Sequence, residues 1–184
     1  MRKGAPQVAL RFPSHPDDNS LQHPQLRTPQ VNGIPTHNNG LLGKKLYSFT
    51  ALTGIALTDQ AQDYCDNLVV YPGSHLKVNE KFRQQWDSSA DLPMEDRILG
   101  PQPISGLRWS LHEVHDTITP VQLKLQAGNA IICHYNLIHC VADNIAEQVR
   151  MQLYNRVRVN QYGPASLLHT WHGYHPVLSD EFNP

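Results

Sequence analysis

Short alternations of apolar and polar residues constrain this chain more than any other feature. Residues 7–12, 121–125 and 150–159 alternate residue by residue, as strands with one buried face do. Residues 47–57 and 130–135 are almost continuously apolar, which is typical of buried strands. Turn residues separate these segments, and few stretches have helical spacing. The pattern predicts a mainly β protein, built as an antiparallel barrel or sandwich.

The other segments are a short strand, one helix and two irregular stretches. Residues 67–71 form a β-rich run that ends at Pro72-Gly73, and residues 76–86 carry a helical spacing of three and four. Residues 13–43 and 87–116 are rich in turn residues and show no period. The first stretch is predicted to be a loop and the second an insert or lid, and long loops of this kind are often functional.

Composition excludes several classes of protein. The 184 residues suit one domain, and 15 Lys and Arg against 16 Asp and Glu argue against a basic nucleic-acid surface. Three cysteines without a Cys-x-x-Cys pair predict neither a disulfide framework nor a zinc ribbon, and they favour a reducing compartment. No apolar run approaches the roughly 20 residues of a membrane span, and no signal peptide follows Met1. We therefore expect a cytoplasmic protein without nucleic-acid or membrane partners.

Three motifs follow one another in a distinctive order. Residues 35–40 read Pro-Thr-His-Asn-Asn-Gly, and residues 67–75 read Asn-Leu-Val-Val-Tyr-Pro-Gly-Ser-His. An Ala-Gly-Asn turn at 127–129 then leads into an apolar strand that is expected to end at His139, and Arg150 stands eleven positions further on. From about residue 7 to residue 159, the chain resembles the phytanoyl-CoA dioxygenase-like branch of the Fe(II)/2-oxoglutarate-dependent oxygenases.

The resemblance implies a fold as well as a chemistry. It implies a double-stranded β-helix, that is, a jelly-roll, cupin-like barrel with few short helices. Residues 1–184 would form a single oxygenase-like domain, with an N-terminal portion that is short relative to the family. Pro-Gly-Ser-His would serve as motif architecture that turns the chain and caps a helix through Ser74.

The same resemblance implies a set of site residues. Fe(II) that must also bind a co-substrate and O2 uses two His and one carboxylate on one face. His37 and His139 would be the imidazole ligands, and Arg150 would pair with the distal carboxylate of 2-oxoglutarate. Alternation places Gln152 and Tyr154 on the same strand face as Arg150. If that face is buried, an unpaired guanidinium there would be costly unless a ligand supplies its partner.

The sequence departs from the family pattern at the carboxylate ligand. Asn39 stands where the His-x-Asp motif has aspartate, and an amide oxygen brings no negative charge, so Fe(II) binding should weaken. Asp17 belongs to a literal His-x-Asp at residues 15–17 and is the alternative source of a carboxylate. Both assignments stay open on the sequence.

Two functions remain for such a chain. The first is an Fe(II)- and 2-oxoglutarate-dependent oxygenase that uses O2 to hydroxylate a small organic substrate, with no catalytic residue apart from the metal ligands. The alternative is a catalytically silent jelly-roll barrel that retains weak metal or carboxylate-ligand binding, because Asn39 replaces the usual aspartate.

Overall fold

The computed structural model describes residues 7–15, 22–31, 34–35, 51–88, 91 and 116–157. These residues form nine strands and one helix. In chain order the elements are β1 (Gln7–Arg11), β2 (Gln30–Val31), β3 (Ile34–Pro35), β4 (Ala51–Ala56), β5 (Leu68–Val70), α1 (Ser74–Ser88), β6 (Val121–Gln122), β7 (Ala130–His134), β8 (His139–Val141) and β9 (Arg150–Val157).

The strands form two antiparallel sheets. The four-stranded sheet has the order β1-β9-β4-β7, and the five-stranded sheet has the order β3-β2-β8-β5-β6. The chain crosses between the sheets repeatedly, including at each step from β6 through β7 and β8 to β9. Strands far apart in sequence, such as β1 and β9, therefore become neighbours, as they do in a jelly roll made of two Greek keys. The predicted mainly β, jelly-roll fold is confirmed.

Several predicted element bounds need correction. The segment 13–43 was expected to be a loop, but it contains the β2–β3 hairpin. The strand expected over 121–125 is only Val121–Gln122, followed by an isolated bridge from Leu125 to Gln60. The apolar strand expected to run to His139 ends at His134, and His139 begins β8 instead. A tight turn causes this break, because the amide of Leu137 donates to the carbonyl of His134.

Helix α1 packs against the outer face of the five-stranded sheet. Val69 of β5 pairs with Cys140 of β8, and both contact the same buried apolar cluster as Val78 of α1. Leu76, where the helical spacing begins in the sequence, is exposed, and the helix itself begins two residues earlier at Ser74. By alternation, His139 points away from this cluster, on the same side as its cross-strand partner Val70.

The two faces of the four-stranded sheet differ in character. Val8, Leu10 and Ile132 lie exposed on its outer face. On the inner face Arg11 lies opposite Arg150, and Gly54 lies opposite Tyr154. The inner face therefore carries the polar side chains of the candidate site. Among the described residues, no helix is both long and apolar enough to cross a membrane.

Candidate functional site

His139 occupies the first position of β8 with one ring nitrogen already engaged. Its Nδ1 lies 2.8 Å from the carbonyl oxygen of Leu137, so the tautomer protonated at Nδ1 donates to that oxygen. Burial lowers the pKa of His139. The hydrogen bond to the Leu137 carbonyl acts in the opposite direction, and the positive charge of Arg156 lowers the pKa as well. A neutral imidazole whose Nδ1–H is held by a backbone carbonyl offers the lone pair of Nε2 to a metal ion.

The start of helix α1 positions the entry to β8. Gly73 adopts a left-handed φ of 76°, which suits glycine, and the helix begins at the next residue. The Ser74 hydroxyl oxygen accepts a hydrogen bond from the amide of Ile138 at 2.9 Å, in a fully buried setting. Ser74, expected to cap its own helix, thus ties that helix to the residue just before His139.

Arg150 is buried at the start of β9 with its guanidinium turned inward. The predicted common face is confirmed, because its Nη2 donates to Gln152 Oε1 and, at 2.8 Å, to the hydroxyl of Tyr154. The Arg150 side chain is only 2% exposed. A full positive charge at this depth requires negative or strongly polar partners.

Asp66 supplies a charged partner that the sequence reasoning missed. Its Oδ2 lies 3.1 Å from Arg150 Nη1 and 3.8 Å from Arg11 Nε. The chain itself, and not only a ligand, therefore partners Arg150. The signal was the position of Asp66 directly before a buried strand, but nothing local in the sequence pairs it with β9.

Burial dominates the electrostatics of Asp66. Desolvation raises the pKa of this carboxyl, while the charges of Arg150, Arg11 and Arg27 lower it and the charge of Asp143 raises it. Asp66 also has a left-handed φ of 54°, a conformation that aspartate tolerates better than most residues. Ionising Asp66 at this position therefore carries a desolvation cost that the arginines offset only in part.

Among the residues that the structure describes, three buried polar atoms around Arg150 lack a hydrogen-bond partner. They are Arg150 Nε, Gln152 Nε2 and Asp66 Oδ1. Buried donors and acceptors are normally satisfied, so each of these atoms is a place where a ligand atom would be stabilised. Two of the three are donors, which fits the oxygen atoms of a carboxylate.

The inner face of β9 also runs towards His139. Arg156 lies at alternate spacing from Arg150 on this strand, and its charge acts on His139 in the opposite sheet. By alternation, His139 lies on the face of its sheet opposite the α1 cluster, and Arg150 lies on the face of its sheet opposite the exposed Val8 and Leu10.

The rest of the predicted metal site is not tested. His37 and Asn39 lie outside the described residues, and so does Asp17. Within the described part of the chain, no three His, Cys, Asp or Glu side chains come together as a metal-binding group. The ligand set of His37, Asn39 and His139 therefore stays a prediction, as does the role of Arg150 towards 2-oxoglutarate.

Comparison with known proteins gives weak similarities only. No model of a known protein family matches the chain, and no curated protein matches it. The non-heme alpha ketoglutarate dependent carbocyclase SnoK from nogalamycin biosynthesis is 20% identical with a TM-score of 0.49, over 90% of this chain and 56% of that one. The epimerase SnoN, in complex with Fe3+, alpha ketoglutarate and nogalamycin RO, is 20% identical with a TM-score of 0.46, over 90% and 55%.

The match with a third solved structure covers a still smaller share of that protein's chain. EvdMO1 is 16% identical with a TM-score of 0.46, over 84% of this chain and 26% of that one. The chain therefore spans about half or less of the length of these proteins. By its own structure, it is a jelly-roll barrel with an imidazole and a buried arginine on its inner faces.

Proposed function

We propose that this chain is an Fe(II)- and 2-oxoglutarate-dependent oxygenase that hydroxylates a small organic substrate with O2. One observation carries the proposal: the register of three adjacent strands. Pro35 pairs with Gln30, and Gln30 pairs with His139, so the backbones of β3, β2 and β8 lie side by side. Two strand spacings put Pro35 about 10 Å from His139.

This register supports a shared metal ion. His37 stands two residues beyond Pro35, and two residues span at most about 7 Å. This spacing would allow side chains at the two positions to reach one ion, which supports the proposed ligand pair. Asn39 follows two residues later and would contribute a neutral oxygen, with Asp17 as the alternative carboxylate. This ligand set suits Fe(II), which when bound with 2-oxoglutarate supplies the activation of O2.

The residues around Arg150 would hold the co-substrate. Arg150 Nε and Gln152 Nε2 are buried donors that find no partner among the described residues, and they would bind carboxylate oxygens. The Tyr154 hydroxyl fixes the guanidinium from the other side. Because Arg150 is almost fully buried, a carboxylate bound there is shielded from water, which strengthens the charge-assisted hydrogen bonds.

Location and partners are part of the same proposal. A cytoplasmic location is supported by the three cysteines, all of which are free thiols. The near-neutral net charge of −1 supports a small-molecule substrate rather than a nucleic acid. A single domain over residues 1–184 remains a prediction.

The chelate formed by the metal and 2-oxoglutarate tests the function directly. Anaerobic protein is titrated with Fe(II) and then with 2-oxoglutarate, and the metal-to-ligand charge-transfer band is recorded. We expect the band in the native protein and its loss in His139→Ala, because that imidazole is a proposed ligand. His134→Ala is the matched control, because His134 lies on β7 in the other sheet, on the same outer face as the exposed Ile132, and should leave the band intact.

Three outcomes would change the assignment. No band in the native protein, with a band in Asn39→Asp, would establish the catalytically silent barrel instead. Loss of the band in Asp17→Ala but not in Asn39→Ala would move the carboxylate ligand to Asp17. Retention of the band in His139→Ala would contradict the proposed metal site.

A further inference from the structure

Two arginines face each other across β1 and β9. Arg11 and Arg150 are direct cross-strand partners on the inner face of the four-stranded sheet. Like charges in this position repel and destabilise a sheet. The carboxylate of Asp66 reaches both of them, and its Oδ2 makes the shorter contact with Arg150. One carboxylate therefore compensates two guanidinium groups, and the cluster keeps one net positive charge.

The contact between Asp66 and Arg150 is incomplete. A carboxylate and a guanidinium pair best through two parallel hydrogen bonds. Here Oδ2 of Asp66 makes the contact, while Oδ1 and Arg150 Nε are buried without a partner in the described part of the chain. Asp66 also holds this position with a left-handed backbone and against its desolvation. Arg150 is thus partnered by a carboxylate that binds it less well than a bidentate carboxylate would.

Arg11 offers the Asp66 carboxylate a second guanidinium partner. It is 43% exposed, and its Nε lies 3.8 Å from the same oxygen that contacts Arg150. A shift of about 1 Å would bring this pair to ordinary hydrogen-bond distance. The two other nearby charges act on the pKa of Asp66 in opposite directions, since Arg27 lowers it and Asp143 raises it, and they face each other at 4.0 Å.

We propose that Asp66 is an internal carboxylate that holds Arg150 when no ligand is bound and moves to Arg11 when a ligand carboxylate takes Arg150. This inference rests on the proposed function, in which Arg150 binds 2-oxoglutarate. Asp66 then sets the affinity and the specificity of the site. A ligand must present a carboxylate that outcompetes it, and the net charge of the cluster suits a single carboxylate end.

The proposal makes opposite predictions for the two partners of Asp66. Removing its charge frees Arg150, so Asp66→Asn should bind a carboxylate more tightly. Removing Arg11 leaves the Asp66 carboxylate without its second partner, so Arg11→Gln should bind a carboxylate ligand more weakly. If both effects act through Asp66, Arg11→Gln should have no effect in the Asp66→Asn background.

Metal-free 2-oxoglutarate is the probe, and isothermal titration calorimetry measures its affinity for the native protein and these three variants. We expect about tenfold tighter binding in Asp66→Asn and about threefold weaker binding in Arg11→Gln. Asp66→Glu keeps the charge and should bind no more tightly than the native protein. Thermal unfolding of each variant confirms that it is folded, and a purely structural role of Asp66 would give weaker binding in Asp66→Asn.

The outcomes separate this inference from the proposed function. Tighter metal-free binding in Asp66→Asn without an Fe(II) chelate in the native protein supports the role of Asp66 and contradicts the oxygenase. An Fe(II) chelate in the native protein with unchanged or weaker binding in Asp66→Asn overturns the role of Asp66 alone. If Asp66→Asn does not fold, Arg11→Gln alone decides the test. Unchanged affinity of Arg11→Gln for 2-oxoglutarate then overturns the inference.

Discussion

The immediate neighbours of Arg150 set the position of its buried guanidinium. Its guanidinium donates to Asp66, Gln152 and Tyr154, two of which follow it at alternate positions on its own strand. Alternation in the sequence predicts those two, because β9 is long and regular. Asp66 comes from the other sheet, and only the three-dimensional fold brings it there. Local patterns predict neighbours along a strand and miss those across the barrel.

The titration of Asp66 should be visible in the stability of the protein. Burial raises the pKa of Asp66 above its ordinary value of 3.8, in spite of Arg150 and Arg11, with Arg27 also lowering it and Asp143 raising it. The folded state therefore favours the protonated form. This contribution is fully present below pH 3.8 and is lost as the pH rises through the raised pKa.

We therefore expect the free energy of unfolding of the native protein to fall, relative to Asp66→Asn, as the pH rises from the ordinary carboxyl pKa of 3.8 through the raised pKa of Asp66. Urea unfolding of both proteins across this range measures the difference. Asp63→Asn serves as the control, because it removes one carboxylate that is 52% exposed and pairs with Lys124. A difference that grows with pH would mean that attraction to the arginines outweighs desolvation.

At the scale of the element, long strands and the helix follow from the sequence while the shortest strands do not. Strand β9 alternates over eight residues, so its pattern is plain. Strands β2 and β3 have two residues each, which is too few to show a period. These two strands form because the backbone of β8 pairs with Gln30, and backbone pairing cannot be read from the amino-acid composition. The break between β7 and β8 was missed for the same reason.

Gly54 of β4 leaves room for the side chain that holds Arg150. A Cβ at this position would lie 2.6 Å from Gln152 Nε2 and 2.9 Å from Ile131 Cγ1. Gly54→Ala should therefore displace Gln152 and lower the free energy of unfolding by about 1–3 kcal/mol. Denaturant unfolding measures the loss, and calorimetry should show weaker 2-oxoglutarate binding.

Gly128→Ala separates overpacking from backbone strain. Gly128 has a φ of 89°, and nothing lies within 4 Å of a Cβ built there. The alanine should cost about 1–2 kcal/mol through its left-handed backbone alone and leave ligand binding unchanged. Equal binding in both alanine variants would show that Gln152 does not position Arg150.

The hydrogen bond from the Ile138 amide to the Ser74 hydroxyl should contribute strongly to stability, because it is buried. Ser74→Ala leaves the buried amide of Ile138 without an acceptor, which should lower the free energy of unfolding by about 1–3 kcal/mol. Thr58→Ala is a matched control, because its hydroxyl accepts from the amide of Met151 at the same 2.9 Å in an exposed setting. Water can replace the lost partner there, so the control should lose less in the same urea titration. Equal losses would contradict the structural role of Ser74.

At the scale of the whole molecule, the candidate site depends on the closure of two sheets around one interior. His139 belongs to the five-stranded sheet and Arg150 to the four-stranded sheet. Asp66, two residues before β5, contacts Arg150 at the start of β9 and joins the sheets. The jelly roll was predictable because motif order follows strand order, whereas the Asp66 contact depends on how the sheets close. A site of this kind requires that both sheets fold together.

The reactivity of the three cysteine thiols tests whether the two sheets fold together. Cys133 on β7 and Cys140 on β8 are buried in different sheets, while Cys65 is partly exposed. Burial raises the pKa of Cys133 and raises that of Cys140 to about 11, so their reactive thiolates are scarce as well as inaccessible. A thiol reagent should therefore label Cys65 quickly in the folded protein and the other two only after unfolding.

Labelling at increasing urea concentration then tests cooperativity, with mass spectrometry assigning each modified cysteine. If the two sheets stabilise each other through the shared interior, Cys133 and Cys140 should become reactive at the same urea midpoint. Cys65→Ser removes the fast site and leaves the midpoint unchanged. Separate midpoints would show that one sheet opens while the other stays folded, and the inner faces that carry His139 and Arg150 would then not form one cooperative unit.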